Sequence, residues 1–183
     1  MILIINLCRE KLHYFEFVKP VEEIVKNLGG GYFSKNYAEV TNTDLEKAEK
    51  IIICGTSLQD NDYSEHLDKF SFIKTYKKPI LGICAGMQII AKIFNGKIKN
   101  GQEIGFKKIK FEKEFFGLAG EKEVDCLHNF AVDNLKEFEN YAKNEFVQAV
   151  KHKNREIYGV LFHPEARQKD LIRNFVKINN GRI

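Results

Sequence analysis

Three short apolar runs, at residues 2–7, 51–54 and 79–83, limit the fold of this chain more than any other feature. Segments with helical periodicity lie at residues 20–28 and 85–94, and the second of them follows the third run directly. Apolar runs without polar alternation indicate strands buried on both faces, as in a parallel sheet covered by helices. The sequence therefore predicts an α/β fold, with an open, mostly parallel sheet and helices on both faces.

The remaining elements are predicted from the same kinds of pattern. In the first half we expect a weak strand near residues 37–40, a short helix capped by Thr43 and ending at Lys50, and a helix over residues 64–76. The second half is richer in strands, with candidates at 103–112, 123–127, 146–152 and 156–162, and it closes with an amphipathic helix at 168–178. We therefore expect a mixed, partly antiparallel later part of the sheet within one domain, residues 1–183.

Charge and hydropathy argue against nucleic-acid and membrane partners. The formal net charge is only +4, and five of the 29 basic residues are arginine, the usual reader of bases. The largest basic cluster, residues 107–110, alternates as in a strand with one solvated face, which we favour over a nucleic-acid groove. No apolar segment reaches the roughly 18 residues of a membrane-spanning helix, and the first residues lack the basic lead of a signal peptide. We expect a cytoplasmic protein.

The four cysteines are far apart in the sequence. Since none of them forms a Cys-x-x-Cys pair, we expect no zinc or thioredoxin-type site, and since no secretory signal is recognised, we expect no disulfide framework. Cys8, Cys54 and Cys126 end apolar runs and are interpreted as small buried hydrophobic residues. Cys84 differs in its position.

Cys84 lies where a predicted strand meets a predicted helix. Gly82 and Gly86 flank it two residues away on either side, where a tight turn leaves no room for side chains. This strand–turn–helix context is that of a nucleophile elbow, in which the helix N-terminus stabilises a thiolate. The backbone N–H of Ala85 would point to where an oxyanion forms, so Cys84 is a candidate nucleophile.

A thiol nucleophile needs a base, and the base needs an orienting group. His163 follows the apolar strand at 156–162, so it also lies at the carboxyl end of a strand, and Glu165 stands two residues further on. Among the other histidines, His13, His66 and His152 lie in polar segments and are interpreted as surface residues. His128 opens a turn after a strand, and a structural role and a substrate-side role both remain open for it.

Two motifs together resemble the class I (triad) glutamine amidotransferases. They are Gly82-Ile83-Cys84-Ala85-Gly86-Met87-Gln88 and Gly159-Val160-Leu161-Phe162-His163-Pro164-Glu165, and the likeness extends over the whole chain. The resemblance implies hydrolysis of the glutamine side-chain amide through a γ-glutamyl thioester. It assigns the nucleophile to Cys84, the acid–base role to His163 and the orienting carboxylate to Glu165. It implies no metal and no organic cofactor.

The resemblance also implies the residues that surround the reacting groups. Gly55 and Ala85 would supply the two oxyanion donors. Many members of the family have Gly-Gly-Pro where this chain has Gly55-Thr56-Ser57, so this loop departs from the family pattern. Substrate contacts are implied for Gln88 and for the segment His128-Asn129-Phe130.

The ammonia acceptor is less well defined. Met87 favours the free-standing amidotransferase subunit of archaeal-type GMP synthase, whose partner is an ATP-pyrophosphatase-type subunit. The opening Leu7-Cys8-Arg9-Glu10 does not match that branch, and His128-Asn129-Phe130 leans towards the carbamoyl-phosphate type. Two other interpretations remain open: a stand-alone γ-glutamyl hydrolase or peptidase with the same triad, and a catalytically silent scaffold subunit.

Overall fold

The computed structural model describes residues 1–178, and its described strands form one nine-stranded sheet. The strands are β1 (Ile2–Asn6), β2 (Tyr32–Asn36), β3 (Lys50–Ile53), β4 (Ile80–Ile83), β5 (Lys97–Phe115), β6 (Leu118–Asp133), β7 (Phe138–Lys143), β8 (Val147–His152) and β9 (Ile157–Val160). Their order across the sheet is β2-β1-β3-β4-β9-β8-β7-β5-β6. The predicted α/β class with a mixed sheet is confirmed.

The first five strands in this order are parallel, and the rest are antiparallel. Apart from the half-buried edge strand β2, the parallel strands are buried on both faces, which is why they are apolar at nearly every position. Because β3, β4 and β9 are adjacent and parallel, their carboxyl ends meet at one edge of the sheet, where ligands of open α/β sheets bind.

Helices cover the two faces. The described helices are α1 (Lys11–His13), which continues through a π-helical stretch (Tyr14–Val18) into α2 (Lys19–Asn27), then α3 (Asn42–Lys47), α4 (Ala85–Ile93) and α5 (Lys169–Lys177). Alternate residues of β1 enter different cores: Ile4 packs with α2 and α5, whereas Leu3 packs with α4. Within residues 1–178, no helix has both the length and the apolar character needed to cross a bilayer.

The long β5–β6 hairpin follows β7 in the sheet order, and part of it lies beside the carboxyl ends of the parallel strands. It pairs Lys97 with Asp133 at one end and Phe115 with Leu118 at the other. A register shift lies between Asn100 and Glu103, next to Gly101. The hairpin therefore brings residues 125–130 up to the carboxyl ends of β4 and β9, as the hydrogen bond from His163 N to Asp125 O shows.

Several predicted boundaries are wrong. The weak strand lies at Tyr32–Asn36 rather than at 37–40, because polar side chains on this half-buried edge strand hide it. The α3 cap is Thr41 rather than Thr43, since Thr41 forms a reciprocal capping box with Asp44. Two further errors concern whole elements: β7 was not predicted, and the α-helix expected at 64–76 is instead 3₁₀-helical, over Asp62–Glu65 and Leu67–Lys74.

Two histidines are less exposed than predicted. His152 is buried, because its ring packs edge-on against Phe94 and Phe138. His13 is half-buried, and its Nδ1 lies 2.7 Å from the Asp60 carboxylate. The expectation for Cys8, Cys54 and Cys126 is confirmed, since all three are free and buried. Residues 179–183 lie outside the described part of the chain.

Candidate active site

Cys84 lies between the last residue of β4 and the first residue of α4, with φ of 47° and ψ of −103°. A φ in this range is rare for a residue with a side chain and is tolerated only where the surroundings impose it. A Cβ on Gly86 would lie 2.3 Å from Ile53 O, and one on Gly82 would lie 2.6 Å from the Gly86 backbone. Both glycines are therefore required by close backbone approach, as the sequence pattern predicted.

The backbone of Cys84 is tied down on both sides of the turn. Its N–H donates to Val160 O at 2.7 Å, and its carbonyl accepts from Gln88 N at 3.1 Å. The side chain is only 4 % exposed, and Sγ lies 3.6 Å from Leu127 O on β6. The thiol therefore sits at the N-terminus of α4, whose dipole favours a negative charge there.

His163 follows β9 by three residues and is buried against Phe17, with ring centroids 5.2 Å apart. Its Nδ1 lies 2.7 Å from Glu165 Oε1, which fixes the orientation of the ring. Burial alone lowers the pKa of His163, but the Glu165 carboxylate and the nearby Cys84 sulfur outweigh burial and raise this pKa well above its usual range. Among residues 1–178, His163 Nε2 and Glu165 Oε2 have no hydrogen-bond partner.

Gly55, directly after β3 and Cys54, completes this cluster. A Cβ on Gly55 would lie 2.6 Å from His163 Cε1 and 3.4 Å from Cys84 Cβ. The carboxyl ends of β3, β4 and β9 thus bring Gly55, Cys84 and His163 together, although they are far apart in the sequence.

The residues predicted to contact substrate line a cleft beside Cys84; they are Gln88 and the segment His128-Asn129-Phe130. Gln88 Nε2 donates to Phe130 O at 3.0 Å, and the Tyr63 hydroxyl donates to Gln88 Oε1 at 3.3 Å. The cavity beside Cys84 has a volume of about 20 Å³, room for about one water molecule. A larger cavity of about 350 Å³ adjoins it, and Tyr63, Gln88 and Phe130 line both. Tyr63 was not identified from the sequence, since a tyrosine in a polar stretch has no distinctive signal.

The His128 side chain takes part in a buried network rather than reaching into the cleft. Its Nδ1 lies 2.8 Å from Gly101 O, and its Nε2 lies 3.2 Å from Glu103 Oε2. Burial lowers the pKa of His128. Amides of Asn144 and Gln148 also donate to the Glu103 carboxylate. Asn129 points elsewhere, with its Oδ1 accepting from Gln102 Nε2 at 2.7 Å.

One group of potential metal ligands occurs within residues 1–178. Donor atoms of Glu103, Cys126 and His128 lie within 4.8 Å of one another, and all three residues are buried. Both Glu103 oxygens already accept hydrogen bonds from neutral side-chain amides. The group therefore suits a hydrogen-bonded network better than a cation.

A thiol at a helix N-terminus, beside an imidazole held by a carboxylate, can perform acyl transfer. The comparisons with known proteins agree with this class of chemistry. The model of the family "Glutamine amidotransferase class-I" matches residues 18–178. The chain belongs to the class I glutamine amidotransferase family.

Within that family, the chain is similar to GMP synthases. It is 33% identical over 164 residues to a subunit of the glutamine-hydrolysing GMP synthase of Pyrococcus furiosus, covering 81% of this chain and 86% of the relative. It is 41% identical over 110 residues to the GMP synthase of Staphylococcus saprophyticus, but that match covers 54% of this chain and 21% of the relative. The chain thus matches about a fifth of the length of that bacterial enzyme.

Two solved structures have a fold similar to that of this chain. A putative GMP synthase subunit from Thermoplasma acidophilum superposes with a TM-score of 0.85 at 25% identity, covering 96% of this chain and 91% of that one. A glutamine amidotransferase from Thermotoga maritima superposes with a TM-score of 0.71 at 20% identity, covering 96% and 81%.

Proposed function

We propose that this chain hydrolyses the side-chain amide of glutamine to glutamate and ammonia, with Cys84 as nucleophile, His163 as acid and base, and Glu165 as the group that orients His163. The observation that carries the proposal is the buried His163–Glu165 pair, joined at 2.7 Å at the sheet edge where the strained Cys84 lies.

The four free cysteines suit a reducing compartment, and we propose a cytoplasmic location.

In the first half of the reaction, the Cys84 thiolate attacks the carboxamide carbon and forms a tetrahedral intermediate. The backbone N–H groups of Gly55 and Ala85 are proposed to stabilise its oxyanion. The C–N bond then breaks, His163 supplies the proton that the leaving amine needs, and ammonia departs, which leaves a γ-glutamyl thioester on Cys84.

In the second half, water attacks the thioester carbonyl. His163, now neutral, takes a proton from this water, and the C–S bond breaks to release glutamate and the thiolate. The net reaction consumes one glutamine and one water. The raised pKa of His163 suits it to hold a proton before attack and to donate that proton to ammonia.

We propose that Gln88 and the backbone of Asn129 and Phe130 hold the amino-acid end of glutamine. Gln88 is supported by its position beside the cleft and by the hydrogen bond that fixes its amide to Phe130 O. His128 contributes through the segment it anchors, since both its ring nitrogens have partners away from the substrate.

The ammonia is proposed to pass to a synthase partner, with an ATP-pyrophosphatase-type subunit of GMP synthase as the first candidate. The similarity to the Pyrococcus furiosus protein over most of both chains supports this choice. The acceptor would then be XMP, and the product would enter purine biosynthesis.

The test is glutamate release from glutamine by the purified chain, alone and then with a GMP synthase ATP-pyrophosphatase subunit, ATP and XMP. We expect stimulation by the partner, and a loss of about 10⁴-fold or more in Cys84→Ala with an unchanged circular dichroism spectrum. Full activity in Cys84→Ala would overturn the mechanism. Activity without stimulation would favour a free γ-glutamyl hydrolase. Silence in both conditions, together with no thioester label on Cys84, would favour a scaffold subunit.

A further inference from the structure

The loop that follows β3 is held by one buried carboxylate. Asp60 Oδ2 accepts hydrogen bonds from Thr56 Oγ1 at 2.9 Å, from Arg9 N at 3.2 Å and from His13 Nδ1 at 2.7 Å. Thr56 and Asp60 are 3 % and 5 % exposed. A single carboxylate oxygen thus joins this loop, residues 55–60, to the segment that leads into α1.

This loop lies where the proposed chemistry needs a fixed backbone. Its first residue, Gly55, packs against His163 and Cys84, and Thr56 and Ser57 line the cavity beside the Cys84 thiol. The sequence of the loop, Gly-Thr-Ser-Leu-Gln-Asp, contains no proline to restrict it. Its conformation therefore depends on the contacts that its side chains make.

We propose that Asp60, oriented by His13, is a positioning residue that holds the oxyanion donor of this loop in place through Thr56. The inference rests on the proposed function and extends it to Asp60 and His13, which act through Thr56 and the loop rather than on the substrate. Since the donor acts on charge that develops only in the transition state, its displacement lowers kcat and leaves KM for glutamine nearly unchanged.

The surroundings of Asp60 keep it ionised and able to accept all three bonds. Burial raises the pKa of Asp60, but the donors from His13, Thr56 and Arg9 outweigh burial and lower it. The neighbouring carboxylate of Asp62 is exposed and pairs with the Arg9 guanidinium at 3.7 Å, outside the set of hydrogen bonds that Asp60 accepts. Asp62 is therefore a matched control.

The kinetic test compares Asp60→Asn with Asp62→Asn. An asparagine at 60 keeps the size of the side chain but loses the charge that strengthens the three hydrogen bonds. We expect kcat for glutamate release to fall about 10- to 100-fold in Asp60→Asn, with KM within about threefold, and both constants to stay at wild-type values in Asp62→Asn. Equal kcat in the two variants, or a change in KM alone, would overturn the proposal.

A second pair of variants tests the link through the hydroxyl of Thr56. Thr56→Val removes this hydroxyl at nearly constant shape, whereas Thr56→Ser keeps it. We expect Thr56→Ser to recover most of the kcat that is lost in Thr56→Val. If Thr56 acted through packing alone, kcat would instead be higher in Thr56→Val than in Thr56→Ser.

Amide hydrogen exchange of the peptide that covers residues 55–61 supplies a readout that needs no activity. We expect faster exchange in Asp60→Asn than in Asp62→Asn, and equal exchange would contradict the proposal. If wild type released no glutamate in any condition, the proposed function would fail, and the exchange measurement would still decide whether Asp60 holds the loop.

Discussion

Cys84 and His163 are held in place by different kinds of restraint. The cysteine is fixed through its backbone, which adopts a positive φ between two glycines that allow close approach. The histidine is fixed through its side chain, by the Glu165 carboxylate on one ring nitrogen and by the Phe17 ring beside it. Substitutions at Glu165 should therefore change the protonation of His163 without disturbing the turn at Cys84.

The pKa of His163 tests this separation. In Glu165→Gln the charge that raises the pKa is lost while burial still lowers it, so we expect the pKa of His163 to fall markedly. The measurement is an NMR titration of the histidine Cε1–H signals. Glu139→Gln, which removes an exposed carboxylate paired with Lys113, should leave the His163 titration as in wild type.

The same pair gives stability a defined dependence on pH. A histidine whose pKa is raised on folding stabilises the protein fully below its unfolded pKa of about 6.5 and stops doing so as pH rises through the folded value. The free energy of unfolding should therefore differ most between wild type and Glu165→Gln near pH 6. A difference that grew with rising pH would contradict the assigned direction.

At the scale of elements, the cap of α3 gives a direct test. Thr41 Oγ1 accepts from Asp44 N at 3.3 Å, and Thr41 N donates to Asp44 Oδ2 at 3.0 Å. We expect Thr41→Ala to lower the free energy of unfolding by about 1 kcal/mol in urea titrations. Thr43→Ala is the control, since Thr43 lies inside the helix and its removal should change stability by less than about 0.5 kcal/mol.

The elements that were predictable from sequence are those with a local cause. The buried strands β1, β3 and β4 are apolar except at their end residues Asn6 and Lys50, and the turn at Cys84 needs its glycines whatever surrounds it. Edge strand β2 could not be placed correctly, because its polar side chains resemble a loop until its pairing with β1 is known.

In the site, the strand ends and the glycine pattern pointed to Cys84 and His163. Asp60 and Glu103 were missed because single carboxylates in polar stretches acquire their roles only from distant partners. The sequence predicts a solvated His152 for the same reason, since the rings that bury it, Phe94 and Phe138, are distant in the chain. Local patterns thus predict the candidate reacting groups and their close neighbours Glu165, Gly82 and Gly86, but not the groups that come from distant parts of the chain.

At the scale of the whole molecule, Arg155 joins parts of the chain that are about 80 residues apart in sequence. Its guanidinium donates to the carbonyl oxygens of Lys74 at 3.0 Å and Ile73 at 2.9 Å, and to that of Tyr76. These bonds fasten the turn between β8 and β9 to the end of the 3₁₀-helical segment.

We expect Arg155→Ala to lower the free energy of unfolding by about 2–3 kcal/mol, because three carbonyl oxygens, two of them in part-buried contacts, lose a charged donor. Arg155→Lys should recover only part of the loss, since an ammonium cannot span three carbonyls as the planar guanidinium does. Arg173→Ala, which removes an exposed pair with Asp170, should cost less than about 0.5 kcal/mol and serves as the control. Equal losses at the two arginines would contradict this role.

The β5–β6 hairpin also has a consequence for how molecules meet one another. Strand β6 forms one edge of the sheet, and Glu121, Glu123 and Asp125 place carboxylates at alternate positions along it. Glu121 and Glu123 form ion pairs with Lys108 and Arg167, so the side chains along this edge are charged but largely paired. A second molecule that added its own β6 to this edge would have to accommodate these hydrated charges, and charged side chains on an edge strand disfavour such pairing.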